Sequence, residues 1–331
     1  MRRLAPVIGL FLLSPLVAEF LLGNLPITML VSLVVLAPMY GGGALLVRES
    51  ARRLGRGWPT MALFAVAYGV IEEGLTTFSL FNPDYAGAHL MDAGYVPALG
   101  IAVPWTVAVL ALHAVWSISV PIAVVETFVP GRRTTPWLGR TGLIVTCAVF
   151  AFGIAGSIVT TEATWAYTPS AGQVAGSLVV VAALVAAGLY AGRGTRAPRP
   201  GRAVPHPLAV GAGALIAGFA ERSVPDGWNP VLSVPAALVL IFGSVAAIRY
   251  WSAAPGWDAR HRLAAAAGAM GAYAIVSFPQ GPVIPVAPAI DLAGNAIFTF
   301  GAAVLVAFAV RACRRAPAPE PATSPRPHHT H

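Results

Sequence analysis

Long apolar runs separated by short polar segments follow one another along the whole chain. A helix needs about 20 mostly apolar residues to cross the hydrocarbon core of a bilayer. The pattern predicts ten such spans. They cover residues 4–23, 27–47, 60–81, 100–128, 141–160, 172–192, 207–221, 231–249, 263–278 and 290–310. The sequence therefore predicts an all-α, polytopic integral membrane protein that contacts the lipid bilayer.

The content of charged residues separates this chain from soluble proteins. Of its 331 residues, 57% are hydrophobic and 10% are charged, whereas an ordinary soluble domain has about 25% charged residues. These proportions exclude a soluble globular enzyme, a disordered chain and a coiled coil. Every cationic side chain is an arginine, and alanine is abundant. This composition is typical of a GC-rich bacterial genome and favours the bacterial inner membrane as the location.

The arginines mark alternate ends of the predicted spans. If the N-terminus is cytoplasmic, 20 of the 21 arginines fall in cytoplasmic segments and only Arg222 falls outside. Cytoplasmic loops carry an excess of positive charge, so this alternation predicts an even number of spans and two cytoplasmic termini. The net charge of +8 then reflects membrane orientation and the anionic inner leaflet, and no nucleic-acid partner is expected.

Polar residues are unevenly distributed among the spans. The spans within 1–128 hold nearly all of the intramembrane polar residues, whereas the spans of 141–310 consist mainly of small and aliphatic residues. The sequence predicts one transmembrane helical domain over 1–312, with a polar site in its first part and a scaffold in its second. Residues 313–331 are rich in Pro, Ala and His, and this composition predicts a disordered cytoplasmic tail.

Three consecutive glycines, Gly41-Gly42-Gly43, lie within the second predicted span. Small residues let neighbouring transmembrane helices approach closely. We expect a close helix contact here, because a phosphate-binding loop requires a different spacing and a lysine.

Ionisable groups in the hydrocarbon core are costly, by about 2.5–3.5 kcal/mol for Asp or Arg at a helix centre, and they mark candidate functional sites. The predicted orientation places several polar side chains in the middle-to-outer part of the membrane, on the first, third, fourth and tenth spans. They are Glu19, Glu72, Glu73, His113, Asp291 and Asn295. Because these depths overlap, the side chains are candidates for one shared site.

The adjacent pair Glu72-Glu73 is the strongest candidate for chemistry. Successive residues of a helix point about 100° apart, so one carboxyl can face a cavity while the other contacts a neighbouring helix. His113 follows in the next predicted span. One protonated and one ionised carboxyl beside an imidazole form a usable acid–base set.

The order of these elements has a parallel in a known family. The third predicted span contains Glu72-Glu73 within Tyr-Gly-Val-Ile-Glu-Glu-Gly-Leu, and the fourth contains His113 followed by Ala-Val-Trp-Ser. This order resembles the CAAX-protease and bacteriocin-processing family of glutamate-dependent intramembrane peptidases. The resemblance implies an endopeptidase (hydrolase) activity on a membrane-embedded peptide substrate. It also implies that Glu72 is the base, that Glu73 supports it, and that His113 polarises the water or the oxyanion.

The chain departs from that family's three motifs, which are EExxxR, FxxxH and HxxxN or HxxxD. Thr77 stands where the arginine of the first motif would be, and Val109 stands where the phenylalanine of the second would be. The pattern nearest to the third motif is Asp291-x-x-x-Asn295. We assign Asp291 and Asn295, with Glu19, as candidate substrate-binding residues. No metal is assigned, and the cofactor is left open.

Two other functions stay open on the sequence alone. In a proton- or cation-coupled transporter, Glu19, Glu72 and Glu73 would relay protons or bind a cation. In a non-catalytic membrane scaffold, His113 would be an interhelical hydrogen-bond partner, and Asp291 would cap the start of the tenth helix.

The longest outside loop, 82–104, joins the spans that carry the glutamate pair and the histidine. Two interpretations stay open: a lid over the mouth of the polar site, and an ordinary interfacial loop. His89, with Asp84, Asp92 and Glu72, has the ligand types of a metal site but the spacing of no standard one.

Overall fold

The computed structural model describes residues 3–191, 193, 199, 201–224 and 228–315, and in that part of the chain the long elements are ten helices. They are Ala5–Leu21 (α1), Ile27–Arg53 (α2), Trp58–Leu75 (α3), Val103–Thr127 (α4), Arg140–Trp165 (α5), Ala171–Ala191 (α6), Pro207–Arg222 (α7), Pro230–Trp251 (α8), Ala259–Val276 (α9) and Pro288–Arg315 (α10). A short antiparallel hairpin lies between α3 and α4, and each of its strands, Tyr95–Val96 (β1) and Ile101–Ala102 (β2), has two residues. Each helix overlaps one of the predicted spans.

Six of these helices, α2, α4, α5, α6, α8 and α10, are long and apolar enough to cross a membrane. The prediction of an all-α integral membrane protein is therefore confirmed. The other four helices are shorter or more polar. Helix α1 is a shorter apolar helix and α7 has 16 residues. Helix α3 contains the glutamate pair, and α9 begins with the polar sequence Ala-Arg-His-Arg.

Helix α3 ends at Leu75 instead of the predicted residue 81. The amides of Thr76 and Thr77 both donate to the carbonyl of Glu72, at 3.1 and 2.7 Å, and Phe78 has a φ of 59°. A positive φ is incompatible with the continuation of a right-handed helix. The chain therefore leaves the helix within one turn of the glutamate pair, and the residues that follow stay close to it.

Helices α1 and α2 approach each other very closely at Gly41. A Cβ atom at Gly41 would lie 2.0 Å from the carbonyl oxygen of Phe11, and one at Gly43 would lie 2.3 Å from the ring of Tyr68. Neither position has room for a larger side chain. The predicted close helix contact at the three glycines is confirmed.

The interior of the bundle is formed mainly by α1 to α4 and α9. One apolar cluster includes Met61 and Ile118. A second includes Trp116 of α4 and Tyr273 of α9, whose rings stack with centroids 4.5 Å apart. Helices α5, α6, α8 and α10 bury few of their residues, as expected for helices that face lipid. Helix α9, which the sequence groups with the scaffold spans, thus lies in the interior.

The arginine-bearing segments contact one another at one end of the bundle, which we name the Arg-rich face. Arg132 donates to the carbonyl of Arg3 at 3.2 Å, and Arg53 donates to the carbonyl of Leu138 at 2.6 Å. The Arg-rich face comprises the segments 3–4, 54–57, 128–140 and 252–262.

The other connections meet at the opposite end. The amide of Val283 donates to the carbonyl of Asn24 at 3.0 Å, and the rings of Tyr85 and Trp165 lie 5.7 Å apart. In the described part of the chain, these connections therefore alternate between two ends of the bundle, and the arginine contacts named above lie at one of them.

The C-terminal end of the described chain is helical. Helix α10 extends to Arg315, so residues 313–315 of the predicted tail continue this helix. The rest of the predicted disordered tail, 316–331, lies outside the described residues.

Candidate functional site

Three of the helices that meet in the interior contain a π-helical segment, and each segment carries a polar side chain. The segments are Leu16–Leu21 with Glu19, Ala37–Gly41 with Tyr40, and His113–Ser119 with His113. A π-helical turn widens the backbone and is frequent at functional sites. The coincidence of three such turns at one level singles out this region of the bundle.

His113 lies between the two carboxyl groups of α3. Its Nε2 atom is 2.6 Å from Oε1 of Glu73, and its Nδ1 atom is 3.0 Å from Oε2 of Glu72. The three side chains are almost fully buried, with exposed fractions of 2%, 6% and 1% in the order His113, Glu73, Glu72. The structure therefore brings the predicted histidine and both glutamates into direct contact.

Glu73 accepts hydrogen bonds from three side chains. Besides His113, the hydroxyl of Thr77 donates to it at 3.0 Å, and the hydroxyl of Ser79 also donates to it. The indole N–H of Trp105 in turn donates to Ser79 at 3.2 Å. Both hydroxyls come from the segment in which α3 ends, so the early end of the helix is what surrounds Glu73 with donors.

Glu72 is held much less completely. Its Oε2 atom is buried and has no aligned hydrogen bond among the described residues, although it lies next to His113. The Nδ1 atom of His113 is also 3.0 Å from the hydroxyl of Ser117. Tyr68 lies one helical turn before Glu72, its ring is 6.1 Å from that of His113, and its hydroxyl is likewise without a partner in the described chain. Glu72 therefore accepts fewer hydrogen bonds from the described residues than Glu73 does.

Glu19 joins the group through Tyr40. The hydroxyl of Tyr40 donates to one carboxyl oxygen of Glu19, and the side-chain amide of Asn24 donates to the other at 2.5 Å. The ring of Tyr40 lies 6.0 Å from that of His113. The carboxyl of Glu19 is partly buried and has no direct contact with the α3 pair.

Asp291 and Asn295 belong to a different set of contacts. The side-chain amide of Asn295 donates to the backbone carbonyl of Ser277 at 2.9 Å and to the carboxylate of Asp291 at 3.2 Å. Neither side chain contacts Glu72 or His113. Helix α10 begins at Pro288, so Asp291 lies within the first turn and not at the cap position that the scaffold interpretation expected. The Asp-x-x-x-Asn pattern therefore links α10 to α9.

The charges of the site do not balance. Glu19, Glu72 and Glu73 face a single imidazole, that of His113, and within the described residues their hydrogen bonds and ion pairs include no arginine. Burying an ionised carboxylate without a counter-charge is strongly unfavourable. The group therefore requires protons or a bound cation.

A metal could be held by the same three side chains. In the part of the chain that the structure describes, Glu72, Glu73 and His113 form the one group of His, Cys, Asp and Glu whose ligand atoms all lie within 4.8 Å of one another. Imidazole nitrogen and carboxylate oxygen are the ligands of many divalent metals. The constellation around His89 is not formed, since His89 is exposed whereas Glu72 is buried.

Several contributors to the site were missed from the sequence. Tyr40, Tyr68, Ser79 and Trp105 were not assigned to it. Tyr68 carries a signal, because residues four apart on a helix share a face and Glu72 follows it by four. The roles of Ser79 and Trp105 depend on where α3 ends, which hydropathy alone placed too late.

One comparison bears on what this bundle is. A family model described as "Uncharacterized membrane protein family" matches residues 9–318. The chain belongs to this family. No curated protein and no solved structure matches it. The match establishes a membrane protein and gives no support to the likeness to CAAX proteases, which rests on the motif residues alone.

Proposed function

We propose that the protein is a multi-pass protein of the bacterial inner membrane with ten spans and two cytoplasmic termini, and that it is an intramembrane hydrolase of glutamate-peptidase type. The observation that carries the catalytic part is the contact of one buried imidazole with two adjacent carboxylates. The orientation is supported by the gathering of the arginine-bearing segments on one face.

The two glutamates are suited to different tasks. Glu72 Oε2 contacts the imidazole but has no aligned hydrogen bond among the described residues, so Glu72 is the better base: it takes a proton from water, and the water oxygen attacks the peptide carbonyl carbon. Glu73 is held by Thr77 and Ser79 and holds His113, so it positions the imidazole. His113 then delivers a proton to the amine nitrogen as the C–N bond breaks. The motif resemblance likewise makes Glu72 the base, whereas it gives His113 the task of polarising the water or the oxyanion.

Access to the site is expected from the face opposite to the Arg-rich face. The segment after α3 supplies Ser79, and Leu80 and Phe81 pack against Val109 of α4. The first part of the outside loop therefore covers Glu73, while Asp84 and His89 are exposed. We propose that this loop is the lid through which a peptide reaches the glutamates.

Cleavage can be tested without knowing the substrate. Membranes from cells with the wild-type protein, with Glu72→Gln or with the control Glu162→Gln, which changes an exposed helical glutamate, are compared by quantitative mapping of protein N-termini. New N-termini within or beside transmembrane segments are expected with wild type and with Glu162→Gln, and are expected to disappear with Glu72→Gln. Identical N-termini in all three would contradict a peptidase.

A proton- or cation-coupled transporter is the second candidate, and the third carboxylate favours it. Glu19 reaches the site through Tyr40, so the acidic groups extend laterally across α1 and α2, beyond what hydrolysis needs. Proteoliposomes containing a pH-sensitive dye would show cation- or proton-driven flux with wild type and loss of coupling with Glu19→Gln. Flux together with unchanged N-termini would decide for transport. Unchanged N-termini without flux, and tolerance of both substitutions, would indicate a scaffold.

A further inference from the structure

A small cavity opens on the Arg-rich face, at the ends of α3, α4 and α9. Its volume is about 30 Å³. It is lined by Trp58, Ala123, Glu126, Thr127, Pro130, Arg133, Ala259 and Arg262. None of these residues belongs to the glutamate–histidine site, so the cavity is a separate feature at the other end of the bundle.

Two arginines from distant parts of the chain line this cavity. Arg133 lies in the connection between α4 and α5, and Arg262 lies in the first turns of α9. Both are partly buried, and their charges are close enough to act on each other. Within the described residues, neither guanidinium donates a hydrogen bond to a protein acceptor or pairs with a carboxylate. Two unpaired cations that share a partly enclosed space favour an anion between them.

The carboxylate that lines the cavity, Glu126, forms no ion pair with Arg133 or Arg262 in the described chain, because it accepts its hydrogen bonds from other arginines. Both oxygens of Glu126 accept from Arg52, at 2.9 and 3.0 Å, and one also accepts from Arg48 at 3.0 Å. Glu126 is therefore already paired with two other guanidiniums behind the cavity wall. The lining keeps a surplus of positive charge at Arg133 and Arg262.

The nearest other acids are also engaged. Glu49 accepts from Arg48 at 2.8 Å and from the amide of Trp137 at 2.9 Å. Asp258 accepts from the amide of Arg260 at 2.9 Å and contacts the ring of His261 at 2.7 Å. Both carboxylates thus have hydrogen-bond partners of their own. The guanidinium groups of Arg133 and Arg262 are left without a carboxylate partner among the described residues.

We propose that this cavity binds a phosphate group. Guanidinium groups hold phosphate oxygens through short, paired hydrogen bonds. A volume of about 30 Å³ has room for two of the four phosphate oxygens, since one water needs roughly 10–15 Å³, and the rest of the group lies at the cavity mouth. Basic pockets on the cytoplasmic side of membrane proteins bind anionic lipid headgroups. The phosphate comes from such a headgroup or from free phosphate in solution.

Lipid titration of the full-length protein, followed by native mass spectrometry, tests the site. The double variant Arg133→Gln/Arg262→Gln is compared with Arg140→Gln/Arg260→Gln, which removes the same charge from exposed positions of the same face. We expect phosphatidylglycerol to bind wild type and the control with similar affinity, and the cavity variant about tenfold or more weakly. Equal losses in both variants, or no preference over phosphatidylcholine together with no binding of inorganic phosphate, would overturn the proposal.

Inorganic phosphate separates the two sources. Displacement of phosphatidylglycerol by inorganic phosphate would show that the cavity takes the phosphate group itself, whereas binding of lipid alone would assign the site to the headgroup. If the cavity variant does not fold, hydrogen exchange of the wild type serves instead. Added phosphatidylglycerol or phosphate is expected to protect segments 128–133 and 259–262, and no protection by either would again overturn the proposal.

Discussion

The Nε2 atom of His113 lies 2.6 Å from Oε1 of Glu73, a residue 40 positions earlier in the chain. The other ring nitrogen lies 3.0 Å from Oε2 of Glu72. One imidazole thus bridges the two carboxyl groups that leave α3 in directions about 100° apart. This bridge is possible because the π-helical turn at His113 and the end of α3 bring the two helices together at one level. Substitutions at the two glutamates should therefore have different effects.

Glu72→Gln should abolish the proposed cleavage, while Glu73→Gln should weaken it and also destabilise the fold. A general base contributes roughly 10²–10⁴-fold to a rate, so the loss for Glu72→Gln should fall in that range. Glu73→Gln leaves Thr77, Ser79 and His113 with a weaker acceptor. Cleavage rates on a substrate identified from the N-terminal map, together with melting temperatures, would separate the two. Equal rate losses with unchanged melting temperatures would contradict the division of roles.

Gly41→Ala should disrupt the contact between α1 and α2. Its Cβ atom would lie 2.0 Å from the carbonyl oxygen of Phe11, and a backbone atom cannot move aside without shifting a helix. Overpacking of this kind costs about 1–3 kcal/mol or more. The melting temperature of Gly41→Ala relative to wild type, from thermal unfolding in detergent, would measure this cost. The control Gly301→Ala, where nothing lies within 4 Å of the added atom, should leave the melting temperature unchanged, and an equal effect of both would argue against the close contact.

Arg48→Met should be strongly destabilising. Arg48 is fully buried, pairs with Glu49 and Glu126, and lies over the ring of Trp137 at 3.3 Å. Glu126 keeps Arg52 as a partner, but Glu49 is left buried without a cation among the described residues, and removing one partner of a buried ion pair costs about 3–5 kcal/mol. The exposed Arg53, changed to Met, is the matched control. A melting temperature of Arg48→Met close to that of the control would show that the network contributes little.

Asp258→Ala should lower the stability of the protein near neutral pH. The difference in stability between wild type and this variant should become smaller in acid. Asp258 caps α9 together with His261, and such a cap contributes about 1 kcal/mol. Burial tends to raise the pKa of Asp258, but hydrogen bonds from the side chain and amide of His261 and from the amide of Arg260 lower it below the usual 3.8.

The sign of this pH effect follows from the lowered pKa. Since the folded-state pKa lies below the unfolded one, the stabilisation is present above the unfolded value and is lost as pH falls through the folded value. Melting temperatures of wild type and Asp258→Ala near pH 7 and near pH 3 would measure it. The exposed loop variant Asp92→Ala is the control, and a difference that grew in acid would contradict the assignment.

The sequence by itself determined the membrane character, and each predicted span overlaps one long helix of the described chain. Apolar runs of sufficient length have one stable arrangement in a bilayer, in which helices satisfy their own backbone groups. Glu72, Glu73 and His113 were also identifiable, because ionisable residues inside such runs are rare and costly. Several helix ends differ from the predicted ones by five or six residues: α2, α5 and α10 extend further, and α3 ends earlier, at Leu75, where local hydrogen bonding decides its end.

Only the tertiary structure decided which polar groups meet. Glu19 and Asn295 both lie in the outer parts of predicted spans, yet Glu19 joins His113 through Tyr40, while Asn295 bonds to Ser277. Hydropathy gives the depth of a side chain but not the direction in which its helix faces. That direction depends on packing details such as the contact of Gly41 with Phe11 and on the π-helical turns, which rotate later residues relative to earlier ones. These long-range contacts leave no periodic trace in the sequence.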